Sequence, residues 1–219
     1  MFVGGRRWAL APEAAGARWY PGGLGAGCTT RSGSCDDAPA LDYWSDWGEY
    51  YADVKQPGYR TQILSIAGSL MAKGFDGLFL DSVDMVDSHP AQTDGMRTLV
   101  TVLSALVKRA GGLLFAQNGD AFELTLAPLL DGWNREDVTF TYNFDNDTYI
   151  RVPAADHAEA RSALTAMRAA GLLGTATDYV KTAGSAQEKE AVRVALGAGA
   201  LPYVSDIGLN RIPAKPFGL

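Results

Sequence analysis

The sequence predicts a parallel α/β fold of the (β/α)8 TIM-barrel type, and three observations lead to this prediction. Short apolar segments alternate with longer segments whose apolar residues recur at helical spacing, between residues 49 and 207, which is typical of βαβ units. The short segments are apolar throughout, as expected of strands that are covered on both faces. Acids and amides stand at their carboxyl ends, where barrels of this type carry their active sites.

The predicted elements follow one another in a regular order. Strands are predicted at 49–54, 77–81, 113–119, 131–137, 172–180 and 201–207. Helices are predicted at 57–74, 93–111, 122–130, 154–171 and 185–199. These are six clear strands, whereas a closed barrel has about eight. We interpret residues 1–219 as a single barrel domain that is incomplete at its N-terminus, with residues 1–48 irregular or a truncated start and RRWAL as one short strand at most.

Composition and charge narrow the class of protein. The chain has 219 residues, of which 47% are hydrophobic and 20% charged, and its net charge is −6. An acidic surface repels phosphate backbones, so we expect no nucleic-acid partner. No apolar run reaches the length of a membrane span. The first residues include Glu13 and do not predict a signal peptide in this chain.

We expect a monomer. Cys28 and Cys35 form either a disulfide or two free thiols, and the sequence leaves both open.

The segment KGFDGLFLDSVDMVDSH contains four aspartates that differ in their position on the predicted strand. A strand rises about 3.3 Å per residue, so Asp76 lies at the bottom rim of the barrel and Asp81 at the active rim. Asp76 is therefore interpreted as structural and Asp81 as functional. Asp84 and Asp87 are interpreted as solvated or helix-capping loop acids, because calcium loops alternate their ligands more tightly and include a glycine pivot.

Glu136 is the candidate partner of Asp81. It ends the strand at 131–137, two strands further along, so the two backbones are expected on the order of 10 Å apart. Two carboxylates that face each other across a sugar are the usual arrangement for glycosidic cleavage. The alternatives are that Asp81 is a solvated loop acid and that Glu136 pairs with Arg135 or another loop cation. Neither reading requires a metal or a cofactor.

Aromatic residues are concentrated before residue 52, and a second polar-aromatic loop is predicted at 142–149. Aromatic rings offer a large contact area to the C–H faces of sugars, although core packing explains some of them equally well. We select Trp47, Tyr51 and Tyr142 as candidate substrate contacts. A Ser–His–Asp triad is not predicted, because His89 and His157 are isolated and no G-x-S-x-G elbow is present.

Several motifs, taken in order, resemble one family of glycoside hydrolases. They are WGEYYADVKQPGYR, KGFDGLFLDSVD, FAQNG, ATDYV and LPYVSDIGLN, and they resemble the endo-α-1,4-polygalactosaminidases over roughly residues 43–213. The resemblance implies a (β/α)8 barrel that cleaves α-1,4-linked galactosamine or N-acetylgalactosamine exopolysaccharide. It also implies that Asp81 and Glu136 form the catalytic pair.

The same resemblance implies further properties of the chain. Asp53, Asn118 and Asp178 match positions that would line the sugar subsite. The expected partner is a polysaccharide or oligosaccharide substrate, and the expected location is extracellular or in the cell envelope. Two alternatives stay open, namely a non-catalytic carbohydrate-binding degenerate barrel and a glycosidase for another α-linked sugar such as an α-galactoside.

Overall fold

Helices and strands alternate along the chain as the sequence predicts. The computed structural model describes residues 2–3, 6–10, 40–44 and 49–211. Its contacts divide the chain into two units, of which the first ends at residue 115 and the second begins at residue 116. Each unit is described by itself below, and the prediction of a single domain stays a prediction.

In its described residues, the first unit contains two antiparallel strand pairs and the first parallel pair. Its elements are β1 (Phe2–Val3), β2 (Arg6–Leu10), β3 (Ala40–Trp44), β4 (Glu49–Ala52), α1 (Pro57–Ala72), β5 (Gly77–Leu80), the short helix α2 (Met85–Ser88), α3 (Thr93–Arg109) and β6 (Leu113–Gln117), whose last two residues belong to the second unit. β1 pairs antiparallel with β2, β2 pairs parallel with β5, and β6 follows β5 in strand order. The RRWAL segment therefore is a strand.

Helix α1 and helix α3 build the core of the first unit. Pro57 occupies the start of α1, where its missing N–H is not needed. The chain leaves α1 through Gly74, whose φ of 83° suits glycine. α3 packs on α1 and buries Val100, Leu103 and Val107.

The second unit is built on parallel strands. It contains the end of β6, then α4 (Asp120–Leu124), β7 (Gly132–Glu136), β8 (Phe140–Asn143), β9 (Thr148–Arg151), α5 (Ala154–Ala169), β10 (Leu173–Tyr179), α6 (Ala186–Gly197) and β11 (Leu201–Ser205). Its strand order is β6, β7, β10 and β11. β10 pairs parallel with both β7 and β11. This arrangement confirms the predicted parallel α/β pattern.

Capping fixes the start of α6. The side chain of Ser185 accepts the backbone N–H of Glu188 at 3.1 Å, and the Glu188 carboxylate accepts the backbone N–H of Gly184. The first bond satisfies an N–H group that the first turn of a helix leaves unpaired, and the second ties Glu188 to the residue before the N-cap.

Three predicted segments differ in the structure. The helix predicted at 122–130 is replaced by α4, which ends at Leu124, and a 3-10 turn at Ala127–Leu129. β4 was expected to join the parallel strands, but it pairs antiparallel with β3, with Tyr43 opposite Tyr50. The connection at 45–48 is too short for a parallel crossover, which needs about a dozen residues. Residues 142–149 were expected to form a loop, but they include parts of β8 and β9, which form an antiparallel hairpin.

The predictions for three residues concern positions that the structure does not describe. These residues are Cys28, Cys35 and Trp47. None of the helices in the described part of the chain combines the length and the hydropathy that crossing a bilayer requires.

Candidate active site

Glu136 is the last residue of β7, and the neighbouring strand places a polar row beside it. Side chains alternate between the two faces of a strand, so Asn134 and Glu136 point to the same face. In the register with β10, Thr175 lies opposite Asn134 and Thr177 opposite Glu136. Tyr179, two residues further along β10, therefore belongs to the same face.

Within the part of the chain that the structure describes, the side chains of Gln117, Asn118 and Tyr179 donate to the carboxylate of Glu136. Gln117 Nε2 donates to Oε2 at 2.9 Å, and Asn118 Nδ2 donates to the same oxygen at 3.1 Å. The hydroxyl of Tyr179 donates to Oε1. Asn118 Oδ1 also accepts the backbone N–H of Glu136 at 3.0 Å. Donors on both oxygens fix the rotation of the carboxylate, and the predicted subsite residue Asn118 thus contacts the predicted catalytic residue directly.

Arg135 has a partner other than the carboxylate of Glu136. Its Nε lies 3.1 Å from Asp120 Oδ1. Its Nη1 donates to the backbone carbonyl of Glu136 at 2.9 Å. Arg135 and Glu136 are neighbours on a strand, so their side chains leave it on opposite faces. The alternative in which Arg135 neutralises the Glu136 carboxylate therefore has no support in this geometry.

Asp81 and Glu136 share one local backbone feature, each in its own unit. Asp81 directly follows β5, is exposed, and accepts the backbone N–H of Ser82 at 2.7 Å. Ser82 has a φ of 58°, and Asp137, which follows Glu136, has a φ of 54°. Non-glycine residues rarely adopt this left-handed conformation, and those that do cluster at functional sites.

Asp178 lies on β10 between Thr177 and Tyr179 and supports the loop after Glu136. It is 1% exposed. Its Oδ1 accepts the backbone N–H groups of Thr139 at 2.5 Å and Phe140 at 2.7 Å. Burial raises the pKa of the Asp178 carboxyl above its ordinary value, and the backbone donors offset this only in part. The predicted sugar contact of Asp178 stays a prediction.

His157 fixes the same loop from helix α5. Its Nδ1 lies 2.5 Å from the carbonyl of Val138. A carbonyl only accepts hydrogen bonds, so Nδ1 carries the proton in this contact. Asp178 and His157 together anchor the segment 137–140, which begins immediately after Glu136.

Asp53 follows β4 in the first unit, and its side chain is largely occupied by local bonds. Burial opposes its charged form, but hydrogen bonds from the Gln56 side chain, the Lys55 N–H and the Gln92 side chain outweigh burial and lower the pKa of Asp53. The bonds from Gln56 and Lys55 measure 3.0 and 3.1 Å. Asp53 is therefore held as a carboxylate.

The two described aromatic candidates lie in different units. In the first unit, the Tyr51 ring packs against His89 with 4.5 Å between ring centroids. In the second unit, Tyr142 packs edge-on against Phe144 and Tyr149 at 5.0 and 4.9 Å on the β8–β9 hairpin. Phe144 is 59% exposed, so this cluster presents an aromatic surface to solvent.

Comparison with solved structures indicates the fold. No family model matches the chain, and no curated protein matches it. Among solved structures, the glycoside hydrolase domain of PelA from Pseudomonas aeruginosa superposes with a TM-score of 0.69 at 21% identity, covering 94% of this chain and 89% of that domain. This chain has the fold of a glycoside hydrolase domain.

Two further structures share this glycoside hydrolase fold. A glutamate-to-alanine variant of the PelA domain gives a TM-score of 0.70 at 21% identity, covering 94% of this chain and 79% of the variant. Aspergillus fumigatus Ega3, solved in complex with galactosamine, gives 0.63 at 14% identity, covering 94% of this chain and 77% of Ega3. At these identities the likeness shows the fold, and at that level it confirms the resemblance that the sequence motifs indicate.

Within the glycoside hydrolase fold, the surroundings of Glu136 include residues that sequence reasoning did not select. Gln117 and Tyr179 contact its carboxylate, and both stand inside the quoted motifs FAQNG and ATDYV. The signal that could have found Tyr179 is strand alternation, since Tyr179 lies two residues beyond Thr177 and one beyond the selected Asp178 on the strand predicted at 172–180. Gln117 directly precedes Asn118, which was selected alone.

Proposed function

We propose that this chain is a glycoside hydrolase that cleaves α-1,4-linked galactosamine or N-acetylgalactosamine polymers with Asp81 and Glu136 as its two carboxylates. The observation that carries the proposal is the Glu136 carboxylate, which three side-chain donors hold at the end of a parallel strand. Two further observations support the proposal. The chain has the fold of a glycoside hydrolase domain, and its sequence motifs resemble those of the endo-α-1,4-polygalactosaminidases. The proposal includes a barrel of the (β/α)8 type.

The substrate class has support from a neighbour. Ega3, which shares the fold, was solved with galactosamine, and a deacetylated galactosaminan is cationic, which suits a chain of net charge −6. We also propose an extracellular or cell-envelope location, which the family resemblance implies.

The proposed substrate contacts differ in how directly the structure supports them. Asn118 lies against the carboxylate of Glu136, and Tyr142 belongs to an exposed aromatic cluster that could stack on sugar C–H faces. Asp53 and Tyr51 are proposed as contacts from the first unit. Trp47 is proposed from the sequence. Asp178 is proposed to act mainly through the loop that it anchors.

Replacing the proposed carboxylates tests this function. We expect Asp81→Asn and Glu136→Gln each to lower the release of reducing ends from de-N-acetylated galactosaminan by about 10²- to 10⁴-fold, because each variant removes a group that transfers a proton or attacks. Asp76→Asn is the matched control, since Asp76 precedes the same strand that Asp81 follows. Circular dichroism checks that each variant is folded.

Three outcomes would contradict the proposal in different ways. Unchanged turnover in Asp81→Asn removes this residue from the chemistry. Binding of the oligosaccharide without any hydrolysis by the unmodified protein supports a non-catalytic carbohydrate-binding barrel. Hydrolysis of α-galactosides in place of galactosaminan, measured on a substrate panel, identifies a different α-linked sugar.

A further inference from the structure

A chain of side-chain hydrogen bonds in the second unit leads to the carboxylate of Glu136. Asn134 is 4% exposed. Its Oδ1 accepts the hydroxyls of Thr175 at 2.7 Å and Thr177 at 3.1 Å. Its Nδ2 donates to Gln117 Oε1 at 2.9 Å, and Gln117 Nε2 donates to Glu136 Oε2 at 2.9 Å. The threonines, the two amides and the carboxylate thus form one continuous series across β10, β7 and β6.

The direction of every bond in this series follows from Glu136. A carboxylate only accepts hydrogen bonds, so Gln117 must turn its NH2 group toward Glu136 and its oxygen toward Asn134. Asn134 must then turn its NH2 group toward Gln117 and its oxygen toward the threonines. The hydroxyls of Thr175 and Thr177 can only donate in that arrangement. Each amide therefore has one orientation that satisfies both of its neighbours.

Turning the Gln117 amide over would cost free energy, because it would break the hydrogen bonds on both of its sides. Turning Gln117 over would set its oxygen against the Glu136 carboxylate and its NH2 group against the NH2 group of Asn134. A polar group that is shielded from water and left without a partner costs its desolvation penalty, and the low dielectric around such a network raises that cost. The two threonine hydroxyls thus hold Asn134, and Asn134 holds Gln117.

We propose that Asn134 is a positioning residue that acts on the Glu136 carboxylate through the amide of Gln117. The inference rests on the proposed function in one respect, namely the catalytic role of Glu136. β7 sets the position of the Glu136 backbone, but the rotation of the carboxylate depends on its donors. Oε2 takes both amide donors and Oε1 takes the hydroxyl of Tyr179, so the orientation of Gln117 distinguishes the two oxygens.

A double-mutant cycle tests whether Asn134 acts through Gln117. Leucine resembles both residues in size and adds no charge, so we use Asn134→Leu, Gln117→Leu and the double variant. We expect each single variant to lower kcat on galactosaminan by about 10- to 100-fold, the loss expected for one hydrogen bond to a charged group, and to change KM by less than about twofold. In the Gln117→Leu background, Asn134→Leu should lower kcat by less than about twofold.

A second variant keeps the proposal testable should Asn134→Leu fail to fold. Thr175→Val with Thr177→Val removes both hydroxyls that orient Asn134 while keeping the shape of each side chain. Its control is Thr165→Val, since Thr165 donates to the Arg161 carbonyl on exposed surface of α5. We expect a lower kcat for the double valine variant and an unchanged kcat for the control. Equal effects of Asn134→Leu in both backgrounds, or no effect of the double valine variant, would overturn the proposal.

A readout without substrate separates this proposal from the proposed function. In protein labelled with ¹⁵N, the side-chain NH2 of Gln117 should exchange its protons with water several-fold faster in the double valine variant than in the unmodified protein or in Thr165→Val. That result together with an absence of any hydrolysis would reject the proposed function and keep the positioning of Gln117. Unchanged exchange with normal hydrolysis would reject the positioning role alone.

Discussion

At the scale of single residues, the carboxyl of Asp178 accepts two backbone N–H groups at a buried position that disfavours its negative charge. Burial raises the pKa of this carboxyl above its ordinary value, although two backbone N–H groups donate to it. A raised folded-state pKa means that the protonated form is favoured in the folded chain. The contribution of Asp178 to stability is therefore fully present below the ordinary aspartate pKa and is lost as pH rises through the raised value.

Replacing Asp178 by asparagine or alanine separates its charge from its role as an acceptor. The asparagine oxygen still accepts both N–H groups, so the free energy of unfolding of Asp178→Asn should rise relative to the unmodified protein as pH increases across that window. Asp178→Ala leaves two buried donors unpaired and should cost about 2–5 kcal/mol. Urea unfolding from pH 3 to pH 7 measures both. Parallel pH profiles for the asparagine variant and the unmodified protein would refute the role assigned to the charge.

The contacts between individual side chains were the feature that the sequence predicted least well. Glu136 was selected because it ends a strand, and strand ends can be counted along a sequence. Its donors Gln117 and Tyr179 come from two other strands, and their identity depends on the register between strands. Register sets which side chains meet, and it follows from tertiary packing rather than from the segment itself.

At the scale of elements, the long periodic segments were predicted well and the short polar ones poorly. Helices α1, α3, α5 and α6 lie within the predicted ranges, because an apolar face repeated over several turns is a strong signal. The sequence predicts a loop where the structure has the β8–β9 hairpin, because residues 145–147 at its tip are polar. At that tip Asp147 adopts a φ of 53°, and Asn143 Oδ1 accepts the backbone N–H of Asp145 at 2.8 Å, so the polar residues close the turn and leave strand formers on either side.

The close approach of α3 to the segment after β4 yields a prediction about glycine. A Cβ at Gly95 would lie 2.8 Å from Lys55 Cγ, 3.1 Å from Lys55 N and 3.1 Å from Val54 Cγ2. Gly95→Ala should therefore displace the segment that holds Asp53 and lower the free energy of unfolding by about 1–3 kcal/mol. Thermal unfolding with calorimetry measures the change.

Gly68 in α1 is the matched control for Gly95. A Cβ there would meet nothing within 4 Å, so Gly68→Ala should gain about 0.5–1 kcal/mol from helix propensity alone. If Gly95→Ala proves as stable as Gly68→Ala, the close approach does not constrain the segment at Asp53.

At the scale of the whole molecule, the alternation of strand and helix was sufficient to predict the class of fold. Each βα repeat buries an apolar strand under an amphipathic helix. The apolar composition of the strands and the helical period of the segments between them therefore indicate the repeat. The N-terminal region was harder, since RRWAL carries two arginines and still forms β2 beside β5. Pairing with an existing strand overrode a weak local preference.

The net charge of −6 is a property of the whole molecule and leads to a prediction about salt. Attraction of a cationic polymer acts over the Debye length, which falls from about 30 Å at 0.01 M salt to about 8 Å at 0.15 M. The kcat/KM on de-N-acetylated galactosaminan should therefore fall several-fold across this range, mainly through slower association. The fully N-acetylated polymer is neutral and is the control, because salt should leave its kcat/KM nearly constant. If salt affects both polymers equally, or neither, the charge of the chain does not guide the cationic substrate, and any preference for it must come from contacts within the site.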